Sequence, residues 1–418
     1  MSYRFRRWTA LIAIVLFSSI SISAKSLPKV KPEKVGLSSD RLERVSRLFE
    51  GFVDKQQLAG AVALIARQGK VAYFKAWGRM DIDENIPMRR DTIFRIASMT
   101  KPITSTAVLI LHEEGRLFLN QPASRHIPEW NDNLQVYTGM RGGTAQYTVQ
   151  EVTVSIRHLL THTSGLTYGV FGDTPVDKAY VASGMMRLDL DGMVQKLTEL
   201  PLLFQPGERW NYSVSTDVLG KLIENVSGMT LDEFFAKRIF QPLGMKDSGF
   251  FVTKDKIGRA ATIYQPKDTG EGLQASLNPR KNPRTSQRPK MLSGGGGLYS
   301  TAMDYLLFCQ MILNGGELHD ERILSPKTIQ LMTQNHVGDL YTQEGYGFGL
   351  GFAVHTDQGE SGLIESEGTL RWGGIFNTTF FIDPEEELIA IAMSQLRPHA
   401  HLNMGGRFKL LVYQSIIE

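Results

Sequence analysis

Two strand pairs lie at opposite ends of this chain, residues 61–66 with 71–77 and residues 378–383 with 387–394. Arg67-Gln68-Gly69-Lys70 joins the first pair and reads as a hairpin turn; Pro384-Glu385-Glu386 joins the second. A helix starting at Ser39, with apolar face Leu42, Val45, Leu48, Phe49 and Phe52, precedes the first pair, and an amphipathic helix over about 403–417 follows the second. The middle is helical in places. Residues 153–162 carry Ile156, Leu159 and Leu160 before the stop at Gly165, and residues 215–226 carry Val218, Leu219, Leu222 and Ile223 before Gly228. Thr230-Leu231-Asp232-Glu233 is a capping box that opens a helix to Phe240. The pattern predicts an α+β fold, an antiparallel sheet assembled from the two termini with a helical region inserted between them. On this reading the sheet part takes about 33–100 and 291–418, and the helical part about 101–290. Residues 131–150 and 266–290 lack periodicity.

A length of 418 residues exceeds what one hydrophobic core usually serves, so one large two-part domain or two domains are expected. The first 24 residues stand apart: Arg4, Arg6 and Arg7 without an acid, an apolar run from Trp8 to Phe17, then small residues to Ala24. That order reads as a secretory signal cleaved near Ala24, with an uncleaved membrane anchor as the rival. The apolar run is shorter than the roughly 20 residues that span a bilayer, so no stable span is expected after cleavage, and the mature protein is expected in the periplasm or outside the cell. Losing three arginines takes the formal charge from +3 to about zero, which leaves no case for nucleic acid or acidic partners. The basic stretch 266–290 has no aromatic residue and reads as a solvated loop near the site. The single cysteine, Cys309, allows no intramolecular disulfide and falls in an apolar helical run, as a small buried side chain.

The chemistry concentrates in Phe94-Arg95-Ile96-Ala97-Ser98-Met99-Thr100-Lys101-Pro102-Ile103. Ile103, Ala107, Ile110 and Leu111 recur at helical spacing and Gly115 supplies a stop, so a helix is expected over about 98–114. The ring of Pro102 collides with the carbonyl of Ser98, which sets the helix start near the serine. Three residues of separation put the Ser98 and Lys101 side chains on one face, about 5 to 6 Å apart at Cβ, so an amine can reach the hydroxyl. Free amide N–H groups at the helix start would stabilise the oxyanion formed when an activated serine attacks a carbonyl. Ser-x-x-Lys is a short pattern, and Ser26-Leu27-Pro28-Lys29 matches it too, so partners elsewhere must carry the case. Two candidates stand out: Tyr212, in a loop before a helix, and Gly373-Gly374, on or beside a strand after Trp372. Taken singly, Tyr212 fits a packed interior tyrosine and the glycine pair fits a bulge.

Together, Ser98-Met99-Thr100-Lys101-Pro102, His162-Thr163-Ser164-Gly165-Leu166, Pro206-Gly207 with Trp210-Asn211-Tyr212-Ser213, the glycine run 294–300 and Trp372-Gly373-Gly374 resemble the class C β-lactamase-like serine hydrolases, most closely the carboxylesterases of family VIII. The resemblance spans nearly all of the chain after about residue 32. It implies the β-lactamase/penicillin-binding-protein-like fold, Ser98 as nucleophile, Lys101 and Tyr212 as the proton-handling pair, and the backbone N–H groups of Ser98 and Ile375 as the oxyanion hole. Trp372, Gly373 and Gly374 would contact substrate, and no cofactor or metal is implied. Lysine and tyrosine are both mostly protonated near neutrality, so the pair is expected to share one mobile proton, and either residue could take it from Ser98.

The departures from the family pattern bear on substrate. Class C β-lactamases have Tyr-x-Asn where this chain has Tyr212-Ser213-Val214, and Lys-Thr-Gly where it has Trp372-Gly373-Gly374. The missing amide and cation tilt the expected substrate from carboxylate-bearing β-lactams towards uncharged esters, against the indole of Trp372. The implied activity is hydrolysis of a small ester or amide through an acyl-serine. A β-lactamase, a D-amino-acid peptidase, an acyltransferase and a non-catalytic wall-peptide or β-lactam binder are the alternatives. No Gly-x-Ser-x-Gly elbow, phosphate-binding loop or zinc-binding His-Glu-x-x-His helix occurs, and the spacing says nothing of oligomeric state.

Overall fold

The computed structural model describes residues 27–418, and the leader read at 1–24 and the second Ser-x-x-Lys at Ser26 lie outside them. The main sheet has eight antiparallel strands: β1 (Gly60–Arg67), β2 (Lys70–Asp81), β3 (Ile86–Pro87), β4 (Tyr346–Phe348), β5 (Ala353–His355), β6 (Leu370–Gly374), β7 (Thr378–Asp383) and β8 (Leu388–Ser394). Their spatial order is β4-β5-β6-β7-β8-β1-β2-β3, so the first and last strands of the sequence pair at its centre, with Ala61 opposite Ser394 and Arg67 opposite Leu388. The β1–β2 turn has Gln68 and Gly69 both at positive φ, 53° and 69°, which matches the twist of the two strands.

Both central strands are buried on both faces, and alternation decides which core each side chain enters. Val62 and Leu64 with Ile389 and Ile391 face the main core, with helix Ala302–Leu313. Ala61, Ala63, Ala390 and Ala392 face the terminal helices α1 (Ser39–Asp54) and Met404–Tyr413. Small residues there let large ones approach: Phe49 stacks on Trp77 at 4.8 Å between ring centroids and meets Phe408 at 5.9 Å.

The helical region is built around α2 (Thr100–Glu113), buried at every residue from Thr100 to Leu111, with buried hydroxyls satisfied by carbonyls: Thr104 donates to Gly294 O at 2.7 Å and Thr106 to Pro102 O at 2.9 Å. Helix α3 (Ser215–Ser227) packs against it. The capping box at Thr230 forms, with the Glu233 carboxylate accepting the Thr230 N–H. Both stretches without periodicity contain two-stranded hairpins, Gln135–Arg141 with Thr144–Val149 and Ile263–Pro266 with Leu273–Leu277. The first is largely exposed on both faces, so no apolar alternation marked it. Cys309 is buried. Among the described residues no helix is long and apolar enough to cross a membrane.

Candidate active site

Ser98 lies in a 3₁₀ turn, Ala97–Met99, one residue short of the regular helix, as the ring of Pro102 requires. The turn is strained, since Ala97 has φ +45°, a left-handed conformation costly for a residue with a Cβ. Its surroundings hold it in place. Ile96 N–H donates to Leu298 O at 3.0 Å, and the Tyr305 hydroxyl donates to Met99 O at 2.9 Å. The end of β6 presses on the same turn: a Cβ on Gly374 would stand 2.4 Å from Ile96 O, so only glycine lets the strand come this close. Ile375 follows at once, outside the strand, and lines the cleft with Ser98, Trp372, Gly373 and Gly374. The structure therefore brings the proposed oxyanion donors and the glycine pair to one wall.

Lys101 is 1% exposed on the first turn of α2. Its ammonium donates to Gly295 O at 2.7 Å and to the Tyr168 hydroxyl at 3.0 Å, and stands 4.4 Å from the ring centroid of Tyr212. Lys101 thus meets the face of Tyr212, a cation–π contact, and gives its hydrogen bonds to other groups. The Tyr212 hydroxyl is buried without a hydrogen-bond partner among the described residues. Leaving such a group unmet costs about 1 to 3 kcal/mol, so this phenol has its donor and acceptor capacity open to a group that enters the cleft.

Two residues that sequence reasoning missed complete the site. Tyr168 receives the Lys101 hydrogen bond, and burial holds its phenol well above the usual tyrosine range, reinforced by Asp217 and Tyr212. Asp217, in the first turn of α3, accepts from Ser293 Oγ at 2.5 Å and from Gly295 N–H at 3.1 Å. Burial pushes its carboxyl up while the Lys101 charge pulls it back. The glycine run exists for this contact: a Cβ on Gly295 would stand 2.5 Å from Asp217 Oδ2 and 2.8 Å from the Tyr168 hydroxyl. Tyr168 follows Thr163-Ser164-Gly165-Leu166 by two residues, which was the available signal; nothing local marked Asp217.

His162 supports the tyrosine loop. Burial, and secondly the Lys101 charge, hold its imidazole well below the ordinary histidine range, so it is neutral, and Nδ1 accepts the Ser213 N–H at 3.3 Å. Its carbonyl accepts the Asn211 N–H at 2.8 Å and its ring packs 5.0 Å from that of Tyr212. Trp372 packs against Tyr212 and Phe348 at 5.6 and 5.4 Å, and lines a cleft of about 980 Å³ together with the apolar Val170, Phe171, Met186 and Phe250.

Residues 45–413 match the Beta-lactamase family. The chain belongs to that family. Within it, the chain is 36% identical over 361 residues to Protein Rv1367c of Mycobacterium tuberculosis, covering 82% of this chain and 88% of that one. It is 32% identical to Esterase EstB of Burkholderia gladioli, over 89% and 94% of the two chains. Among solved structures, EstCE1, described as a hydrolase with promiscuous acyltransferase activity, superposes with a TM-score of 0.77 at 30% identity, over 90% of this chain and 98% of that one. This Beta-lactamase family member is a serine hydrolase with the β-lactamase/penicillin-binding-protein-like fold expected from its motifs.

Proposed function

We propose that the chain is an esterase that cleaves small acyl esters through an acyl-Ser98 intermediate. The carrying observation is the buried Lys101 ammonium one helical turn from Ser98, flanked by two tyrosines, one of which keeps its hydroxyl unspent. In the reactive state the Lys101–Tyr212 pair holds one proton fewer than an ammonium plus a phenol; Ser98 Oγ attacks the ester carbonyl carbon and its proton passes to that vacant site. The carbonyl oxygen becomes an oxyanion facing the Ser98 and Ile375 N–H groups. Collapse breaks the bond to the alcohol oxygen, which leaves with that proton. Water then adds to the acyl-serine by the reverse path and releases the acid. The likeness to EstB supports an ester as substrate, and so does the apolar Trp372 wall. Acyl transfer to an alcohol in place of water is the second reading, favoured by the description of EstCE1.

The test compares a short-chain aryl ester with a chromogenic cephalosporin, using Ser98→Ala as control. Turnover of the ester that disappears in the control is expected. Turnover of the cephalosporin alone would overturn the esterase reading, and release of transesterified product when an alcohol is added would establish the second.

A further inference from the structure

The cleft that holds Ser98 is lined by arginines and by no aspartate or glutamate among the described residues. Three of them, Arg95, Arg284 and Arg397, make no ion pair among the described residues, and no side-chain hydrogen bond to a described residue uses their guanidinium groups. The basic stretch 266–290 shows how selective this is. Arg280 pairs with Asp81, Lys281 with Glu84 at 3.1 Å and Arg288 with Asp232 at 2.6 Å, all carboxylates outside the cleft, while Arg284 is left facing it.

Arg95 is the best prepared of the three. It lies three residues before Ser98 and is half-buried, with its guanidinium 5.0 Å from the ring centroid of Phe376 and 5.7 Å from that of Tyr299. Phe376 directly follows Ile375, so the guanidinium stands on the oxyanion wall. Stacking on rings uses the faces of a guanidinium and leaves the N–H donors on its edge, the fork that matches a carboxylate. A cation fixed by aromatic rings and without an acidic partner has already lost side-chain freedom, so an incoming anion meets a preorganised donor. Arg397 and Arg284 add positive potential at the mouth, where apolar walls focus it.

We propose that the cleft selects esters carrying a carboxylate away from the scissile bond, with Arg95 as the carboxylate fork and Arg397 as its second cation. This rests on the esterase reading and refines its substrate class. The cation absent at Trp372, which argued for uncharged esters, is supplied instead by Arg95.

The experiment uses two matched pairs of esters: 4-nitrophenyl butyrate against mono(4-nitrophenyl) glutarate, and phenyl acetate against 4-acetoxybenzoate. They place the carboxylate on the acyl and the alcohol side respectively. In Arg95→Gln the anionic-to-neutral ratio of kcat/KM should fall at least tenfold in one pair, less in Arg397→Gln, and Arg95→Lys should recover part of it. The wild-type ratio should fall as salt rises. A ratio unchanged by Arg95→Gln in both pairs overturns the proposal and leaves the esterase reading standing. If the wild type turns over none of the four, the esterase reading fails. Calorimetric binding of the same esters to Ser98→Ala then decides the subsite: preference for the anionic members that is lost on adding Arg95→Gln supports it, and equal binding overturns it.

Discussion

Two buried lysines show how one residue type serves two ends. Lys409, in the helix Met404–Tyr413, donates to the Glu365 carboxylate at 2.7 Å and to the Tyr346 hydroxyl at 3.1 Å, on the terminal-helix side of the sheet. Burial pulls its ammonium below the usual lysine range, and Glu365 opposes that shift. Lys101 is as deeply buried but has no carboxylate within ion-pair distance among the described residues; a carbonyl, a phenol and an aromatic face surround it, and Asp217 acts only from farther away. The Lys409 charge is neutralised where it stands and ties its helix to Glu365 and Tyr346, whereas the Lys101 charge is met by neutral groups in the turn after Ser98.

The largest effect should come from breaking the catalytic member of this comparison. Lys101→Ala should lower kcat for an aryl ester by roughly 10⁴-fold, at the upper end of what proton-transfer groups supply. Its melting temperature should change little by comparison. A reactive phosphonate should label Ser98 of this variant much more slowly, read by intact mass, and undiminished labelling would deny Lys101 its role. Breaking the structural member should do the reverse. Lys409→Met leaves Glu365 buried without its cation and should cost about 3 to 5 kcal/mol in denaturant unfolding, with kcat retained. Adding Glu365→Gln should restore much of that loss, and failure to do so would mean that packing, not charge, sets the cost.

The smallest effect sharpens the comparison inside the site. Tyr168→Phe removes one acceptor from Lys101 and keeps the ring, so kcat should fall about 10- to 100-fold, less than for Lys101→Ala, with KM nearly unchanged. A fall matching that of Lys101→Ala would make Tyr168 a full partner in proton transfer. No change would reduce it to packing.

Much of this molecule was legible beforehand. The terminal strands announced themselves as short apolar runs joined by turn residues, and their pairing at the centre of the sheet follows from burying both apolar faces. Ser98 and Lys101 were legible because their relation is local: three residues at a helix start fix their spacing whatever the rest of the chain does. The nearby departure, a 3₁₀ turn in place of regular helix at Ser98, came from a proline whose effect is also local. The exposed hairpin Gln135–Arg141 with Thr144–Val149 was hidden because neither face of its strands has to be apolar.

The sequence by itself determined the fold class and the family and offered Ser98 as the candidate nucleophile, since each rests on periodicity or on short motifs whose geometry travels with the chain. The tertiary structure alone decided which neighbours Lys101 keeps and which cations face the substrate. Tyr168, Gly295 and Asp217 come from three distant segments, and they meet only because glycine lets backbone and carboxylate approach within a distance that any Cβ would forbid. In the same way Arg280, Arg284 and Arg288 are indistinguishable as letters. Folding brings carboxylates to the first and last and an open cleft to the middle one, because charge pairing depends on distances between segments that no local pattern encodes.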